Sequence, residues 1–154
     1  TEEDGEWYLL STSTTKAGAN TNRDININIA SSYINGKILQ PNEKFSFWDT
    51  VGKCTYDKGY KDATVYSNGK KTKGIGGGVC QVSTTVNMAV KSAGIKTNAR
   101  QHSLPVSYAS REDEATVSFG NIDFKFTNTT GKTIMLVMGA VDGSCTCEVW
   151  AKYE

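Results

Sequence analysis

The sequence predicts an α+β domain in which two main helices pack on a largely antiparallel β-sheet. Three observations lead there. Two stretches, Thr21–Asn35 and Val79–Ala93, carry apolar residues at helical spacing between cap and stop residues. Beyond Pro105 the chain is a run of short β-prone segments split by Gly120-Asn121, Thr130-Gly131 and Asp142-Gly143. No internal repeat, low-complexity tract or long linker divides the 154 residues, so residues 1–154 read as one domain large enough to bury its own core. Helices ahead of an antiparallel meander give the α+β order.

The elements follow in chain order. Trp7–Thr15 is β-prone and forms a first strand. In Thr21–Asn35, Ile25, Ile27 and Ile29 alternate as in a strand, yet Ile25, Ile29, Ala30, Tyr33 and Ile34 line up as a helical stripe. Length, a cap at Thr21 or Asn22 and a stop at Gly36 favour the helix. Pro41–Trp48 is a turn leading into a short strand through Phe45 and Phe47. Ala63–Lys73, broken by Asn68-Gly69, is a hairpin. Gly74-Ile75-Gly76-Gly77-Gly78 leads into the second helix, which Gly94 closes. The remaining strands are Ala115–Phe119, Ile122–Asn128, Thr133–Met138 and Cys145–Ala151.

Seventeen Lys and Arg against 16 Asp and Glu leave a net charge of +1, without the basic excess of a nucleic-acid binder. The longest apolar stretch, Ile134 to Ala140, is too short to cross a bilayer, so a membrane link would come only through an anchor preceding Thr1. Four cysteines allow three pairings. Cys145 and Cys147, two apart in a strand, point to one face, and a disulfide from Cys54 to either is one reading. Cys-Thr-Cys with the single histidine, His102, makes a poor metal ligand set, so no metal or other cofactor is expected.

Cys80 stands apart. On a helix turning 100° per residue it lies roughly 130° from the centre of the Val79/Val82/Val86/Val90 stripe, on a face shared with Thr84, Asn87 and Lys91. A packed cysteine behaves as a small hydrophobe and belongs on the stripe. The first turn of a helix, by contrast, favours a thiolate. Gly77 and Gly78 let a substrate lie close to the main chain, and N–H groups at the helix start can hold an oxyanion. A phosphate-binding loop would need Gly-Lys-Ser/Thr where Val79-Cys80 stands. His102, as the only histidine, is the base open to such a thiol. A packed Cys80 and a structural His102 fit the bare pattern as well.

The motifs Pro41-Asn42-Glu43-Lys44-Phe45-Ser46-Phe47, Gly59-Tyr60-Lys61-Asp62-Ala63, Gly76-Gly77-Gly78-Val79-Cys80-Gln81-Val82-Ser83-Thr84-Thr85 and Arg100-Gln101-His102-Ser103 resemble the VanW family in order and spacing. Glu114-Ala115-Thr116-Val117 and Phe124-Lys125-Phe126-Thr127-Asn128 continue the match, from about Arg23 to Asn128. The resemblance implies a catalytic domain cut from a longer envelope protein, working at the extracellular face of a bacterial cell. It implies an L,D-transpeptidase that joins diaminopimelate residues of peptidoglycan stem peptides through a thioester on Cys80. His102 matches the family histidine. Glu114 stands where the family commonly has Asp, as the acid orienting that imidazole, and Trp48 stands where Asn is frequent. Under this reading Arg23, Arg100 and Arg111 bind stem-peptide carboxylates through paired donors, or are exposed arginines without a role. Gln81 and Ser83 donate to the oxyanion, or simply cap and solvate the helix start. A cysteine peptidase using water, or a non-catalytic wall-binding module, is the alternative. Neither oligomeric state nor nucleic-acid binding is implied.

Overall fold

The computed structural model describes residues 6–17, 20–67, 70–102 and 106–153, with the backbone alone at residues 66 and 67. Its elements are β1 (Trp7–Lys16), α1 (Thr21–Ile34), β2 (Lys37–Leu39), β3 (Lys44–Ser46), α2 (Phe47–Val51), β4 (Asp62–Ser67), β5 (Lys70–Ile75), α3 (Val79–Ser92), β6 (Lys125–Thr127), β7 (Ile134–Val141) and β8 (Ser144–Lys152). The main sheet is antiparallel throughout, in the order β1-β8-β7-β2; β3 pairs with β6, and β4 with β5. The α+β class and the antiparallel sheet stand as the sequence predicts.

The core lies between the helices and one face of that sheet. Cys145, Cys147 and Val149 alternate inward along β8 and are fully buried. Val82, Val86, Ala89 and Val90 of α3 are fully buried too, and α3 packs on β1 and β8. Each buried valine contributes on the order of 1.5 kcal/mol, so this stripe fixes where the start of α3 sits. α1 packs on β7 and crosses α3.

Several local expectations are corrected. The inward face of α1 is Asn26, Ile27, Ala30, Ser31 and Ile34, with Tyr33 exposed. The helix is rotated from the apolar stripe because Asn26 is drawn inside by bonds to main-chain groups. Its cap is Asn20, whose side chain accepts from Arg23 N–H. Phe47 opens a helix rather than ending a strand, because the Ser46 hydroxyl accepts from Asp49 N–H as an N-cap. Ala115–Phe119 forms no strand: Ser118 makes an isolated bridge to Ile122, while the preceding residues lie along α3. The hairpin strands form as expected; the Asn68-Gly69 turn lies outside the described residues. All four cysteines are free, so the Cys54 disulfide is absent. Cys54 packs instead behind the glycine turn, against Gly76.

Candidate active site

The glycine run is shaped by close approach. A Cβ on Gly77 would stand 2.5 Å from the carbonyl carbon of Ala63, and Gly78 has φ +108°, so neither position accepts a side chain without strain. Gly76 N–H donates to Lys61 O at 3.0 Å. Asn26, buried in α1, clamps the same turn: its Nδ2 donates to Lys61 O and Gly77 O, and its Oδ1 accepts from Lys61 N–H. In the first turn of α3, Val79 N–H is used by Gly76 O and Gln81 N–H by Gly78 O. The N–H of Cys80 makes no such bond among the described residues. The N–H groups of Gly77 and Gly78 make none either, so the helix start keeps several main-chain donors unspent.

The face of α3 that carries Cys80 is a polar rail. Ser83 Oγ donates to Ala115 O at 2.5 Å, Thr84 Oγ1 accepts from Ala115 N–H, Asn87 Nδ2 donates to Asp113 O, and Lys91 Nζ donates to Glu112 O. This rail holds the segment 112–117 against the helix. Cys80 Sγ, half-buried, consequently sits 3.5 Å from both N and O of Val117 and 3.7 Å from Thr116 Oγ1.

The same segment delivers Glu114, which is 2 % exposed, to His102, which is 3 % exposed. Glu114 Oε1 accepts from His102 N–H at 2.7 Å and pairs with His102 Nδ1 at 2.8 Å. A carboxylate accepts, so Nδ1 carries the hydrogen and Nε2 is the nitrogen left to meet the thiol. Tyr108 Oη lies 3.4 Å from Nε2. Arg111 braces the pair, its Nη1 3.5 Å from Glu114 Oε2 and its Nη2 donating to His102 O.

Burial alone would push the Cys80 thiol up; the His102 hydrogen bond, the Val117 N–H, the imidazole charge and the Thr116 hydroxyl outweigh it and bring the thiol below its ordinary 9.0. For His102, burial favours the neutral ring, but the hydrogen bond and charge of Cys80, followed by those of Glu114, raise it above 6.5. The two shifts share one cause and favour a thiolate–imidazolium pair. Burial pushes the other three thiols the opposite way, up. A thiolate at a helix start, beside an imidazolium oriented by a buried acid, can attack a carbonyl and then protonate a leaving amine.

The structure thus brings Cys80, His102, Glu114, Gly77 and Gly78 together. The three arginines part company. Arg23 packs against Gly78, with its guanidinium over the Tyr108 ring 5.5 Å from the centroid and Nη1 buried without a hydrogen-bond partner among the described residues. Arg111 is committed to His102 and Glu114 and serves to position them. Arg100 is exposed and lends its carbonyl to Thr116 N–H. Gln81 cannot serve an oxyanion as placed: it is fully buried, and its amide donates to Thr15 Oγ1 and Gly143 O, on β1 and the β7–β8 turn. Ser83 is likewise committed to the 112–117 segment. Ser103 lies outside the described residues. Asn26, Tyr108, Thr116 and Val117 were missed. Only Asn26 left a trace, as a polar residue within an isoleucine-rich helix; the others act through a loop path or main-chain atoms that spacing does not encode. Among the described residues no group of three or more His, Cys, Asp or Glu is placed to hold a metal ion.

A family model described as VanW like protein matches residues 22–150. The chain is 39% identical over 127 residues to the uncharacterized protein YoaR of Bacillus subtilis, covering 82% of this chain and 42% of that protein. It is 30% identical over 142 residues to the vancomycin B-type resistance protein VanW of Enterococcus faecalis, covering 86% of this chain and 46% of that one. The chain therefore spans less than half the length of these curated relatives. No solved structure matches.

Proposed function

The chain belongs to the VanW family, and from that premise we propose that it is a cell-wall protein acting as a cysteine acyltransferase on peptidoglycan, an L,D-transpeptidase at the outer face of a bacterial envelope. The observation that carries this reading is the line Cys80–His102–Glu114: a thiol lowered below its ordinary range, at a helix start, beside an imidazole whose far nitrogen is fixed by a buried carboxylate. The Cys80 thiolate adds to the diaminopimelate carbonyl of a donor stem tetrapeptide, and the N–H of Cys80 donates a hydrogen bond to the developing oxyanion. The carbon–nitrogen bond to D-Ala breaks, with the imidazolium of His102 giving its proton to the departing amine. A second diaminopimelate amine then attacks the thioester, the imidazole takes up a proton from it, and the thiolate leaves. Arg23, whose Cγ packs on Gly78 and whose guanidinium lies over Tyr108 with Nη1 unpartnered among the described residues, suits a stem-peptide carboxylate at this site.

Incubation with purified muropeptides, with mass spectrometry of products and protein, tests the reading. The expected results are a thioester of a stem tripeptide on Cys80, release of D-Ala, and cross-linked dimers that Cys80→Ala, folded as judged by circular dichroism, no longer makes. Loss of the thioester to water with no dimer in the presence of acceptor would make the protein a hydrolase. Unchanged dimer formation by the folded alanine variant would remove Cys80 from the chemistry.

A further inference from the structure

A groove of about 870 Å³ opens near the far end of α3, lined by residues that include Gly94 just after the helix and by none of Cys80, His102 or Glu114. The 14 residues of α3 separate it from the thiol by roughly 20 Å at 1.5 Å per residue. Its cations are Lys37 of β2, Lys44 of β3, Lys96 after α3 and Lys125 of β6, against one acid, Asp49. On a chain whose net charge is only +1, that is a local concentration of one sign. None of the four lysines makes an ion pair among the described residues.

The arrangement is built by the fold. In the β3–β6 pair, Phe45 sits opposite Phe126 and both rings turn into the core, stacked with centroids 5.0 Å apart. Alternation then sends Lys44, Ser46, Lys125 and Thr127 to the outer face, where Lys44 and Lys125 are diagonal neighbours about 7 Å apart. Ammonium groups gathered round a concave site with an apolar floor repel one another, and such a site focuses their field on an anion.

We propose that this groove is an anion-binding site for a phosphodiester-linked polymer of polyol or sugar units, separate from the thiol site and independent of what that site catalyses. Four cations from four segments exceed what a single phosphate needs and match charges repeated along a chain. All are lysines, point charges without the fork of arginine that suits planar carboxylates, and the groove contains no arginine. Thr127 and Thr129 add hydroxyls suited to the polyol or sugar between phosphates. Concavity favours one strand of polymer over the flat surface of a membrane.

The test is binding of fluorescent poly(glycerol phosphate) to the full chain by anisotropy, with neutral dextran and anionic phosphatidylglycerol vesicles as the other arms. Binding to the phosphate polymer, weakening as salt rises from 50 to 500 mM, is expected, with little to dextran or vesicles. Lys44→Gln with Lys125→Gln should weaken it more than tenfold. Lys70→Gln with Lys71→Gln, on β5 and with the same loss of charge, should weaken it less than twofold. Cys80 alkylation should be unchanged in both, which separates this site from the thiol. Reductive methylation of the unaltered protein, read by mass spectrometry, should show Lys44, Lys96 and Lys125 shielded by the polymer. Equal loss from both double variants, no binding by the unaltered protein, tighter binding to vesicles, or methylation without shielding would each overturn the proposal.

Discussion

Replacing Glu114 by Gln removes the charge behind His102 while keeping size and one acceptor oxygen. In the structure Oε1 accepts two hydrogen bonds, from the His102 main-chain N–H and from Nδ1, and only the second changes strength with the protonation of the ring. The carboxylate charge favours the imidazolium over the neutral ring and an amide does not, so the charged form loses support relative to the neutral one. Its titration should therefore move down. His102 is the only histidine, so its ring resonances in an NMR titration report this directly. The ratio of thiolate–imidazolium to neutral pair falls with it, which lowers Cys80 alkylation near neutral pH. The sign for stability follows from the same shift. Because the folded His102 titrates above 6.5, its stabilising contribution is complete below that pH and is lost as the pH rises through the raised value; Glu114→Gln should shrink that decline. A folded Glu114→Gln protein whose imidazole midpoint does not move would show that the acid plays no part in holding the charge.

Two further outcomes are expected. Gly77→Ala should lower stability by about 3 kcal/mol or more, because the new methyl meets the Ala63 and Thr64 main chain on the neighbouring strand; Gly139→Ala, with open space and an ordinary φ, should be neutral or gain about 0.5 kcal/mol. Thermal melts compare them, and a Gly77→Ala protein as stable as Gly139→Ala would refute the close-approach account. In the folded chain at pH 7, iodoacetamide should modify Cys80 and spare Cys54, Cys145 and Cys147, whose thiols burial pushes up. Peptide mapping reads this, and labelling of Cys54 ahead of Cys80 would count against the assigned thiolate.

What the sequence made legible is what local periodicity and end residues encode. Both main helices end within a residue or so of their expected limits, because glycines and polar caps bound them. The off-stripe position of Cys80 is equally a matter of helix geometry, and the shared face with Thr84, Asn87 and Lys91 is the rail the structure uses. The errors come where tertiary bonds override local pattern. Thr116 and Val117 look like strand residues, yet they serve as a cover over a thiol, with their main-chain groups spent on Cys80 and on Arg100 O rather than on a sheet. Asn26 faces inward on α1, where it makes three bonds to Lys61 and Gly77, a tertiary demand that apolar periodicity does not encode. Gln81 is adjacent to Cys80 in sequence, but a step of 100° turns its side chain away toward β1.

The grip of α3 on the segment 112–117 has a consequence for how this site can drift. Ser83, Thr84, Asn87 and Lys91 all hold main-chain atoms of that segment, at Ala115, Asp113 and Glu112, and Cys80 meets the main chain of Val117. The path of the segment is therefore specified from the helix side, and these bonds do not depend on the identities of its own side chains. Substitutions can accumulate along it while the backbone still passes the thiol at the same distance. Glu114 is the exception, because its side chain itself makes the 2.8 Å contact with the ring, and a backbone held in place leaves a shorter acid out of reach.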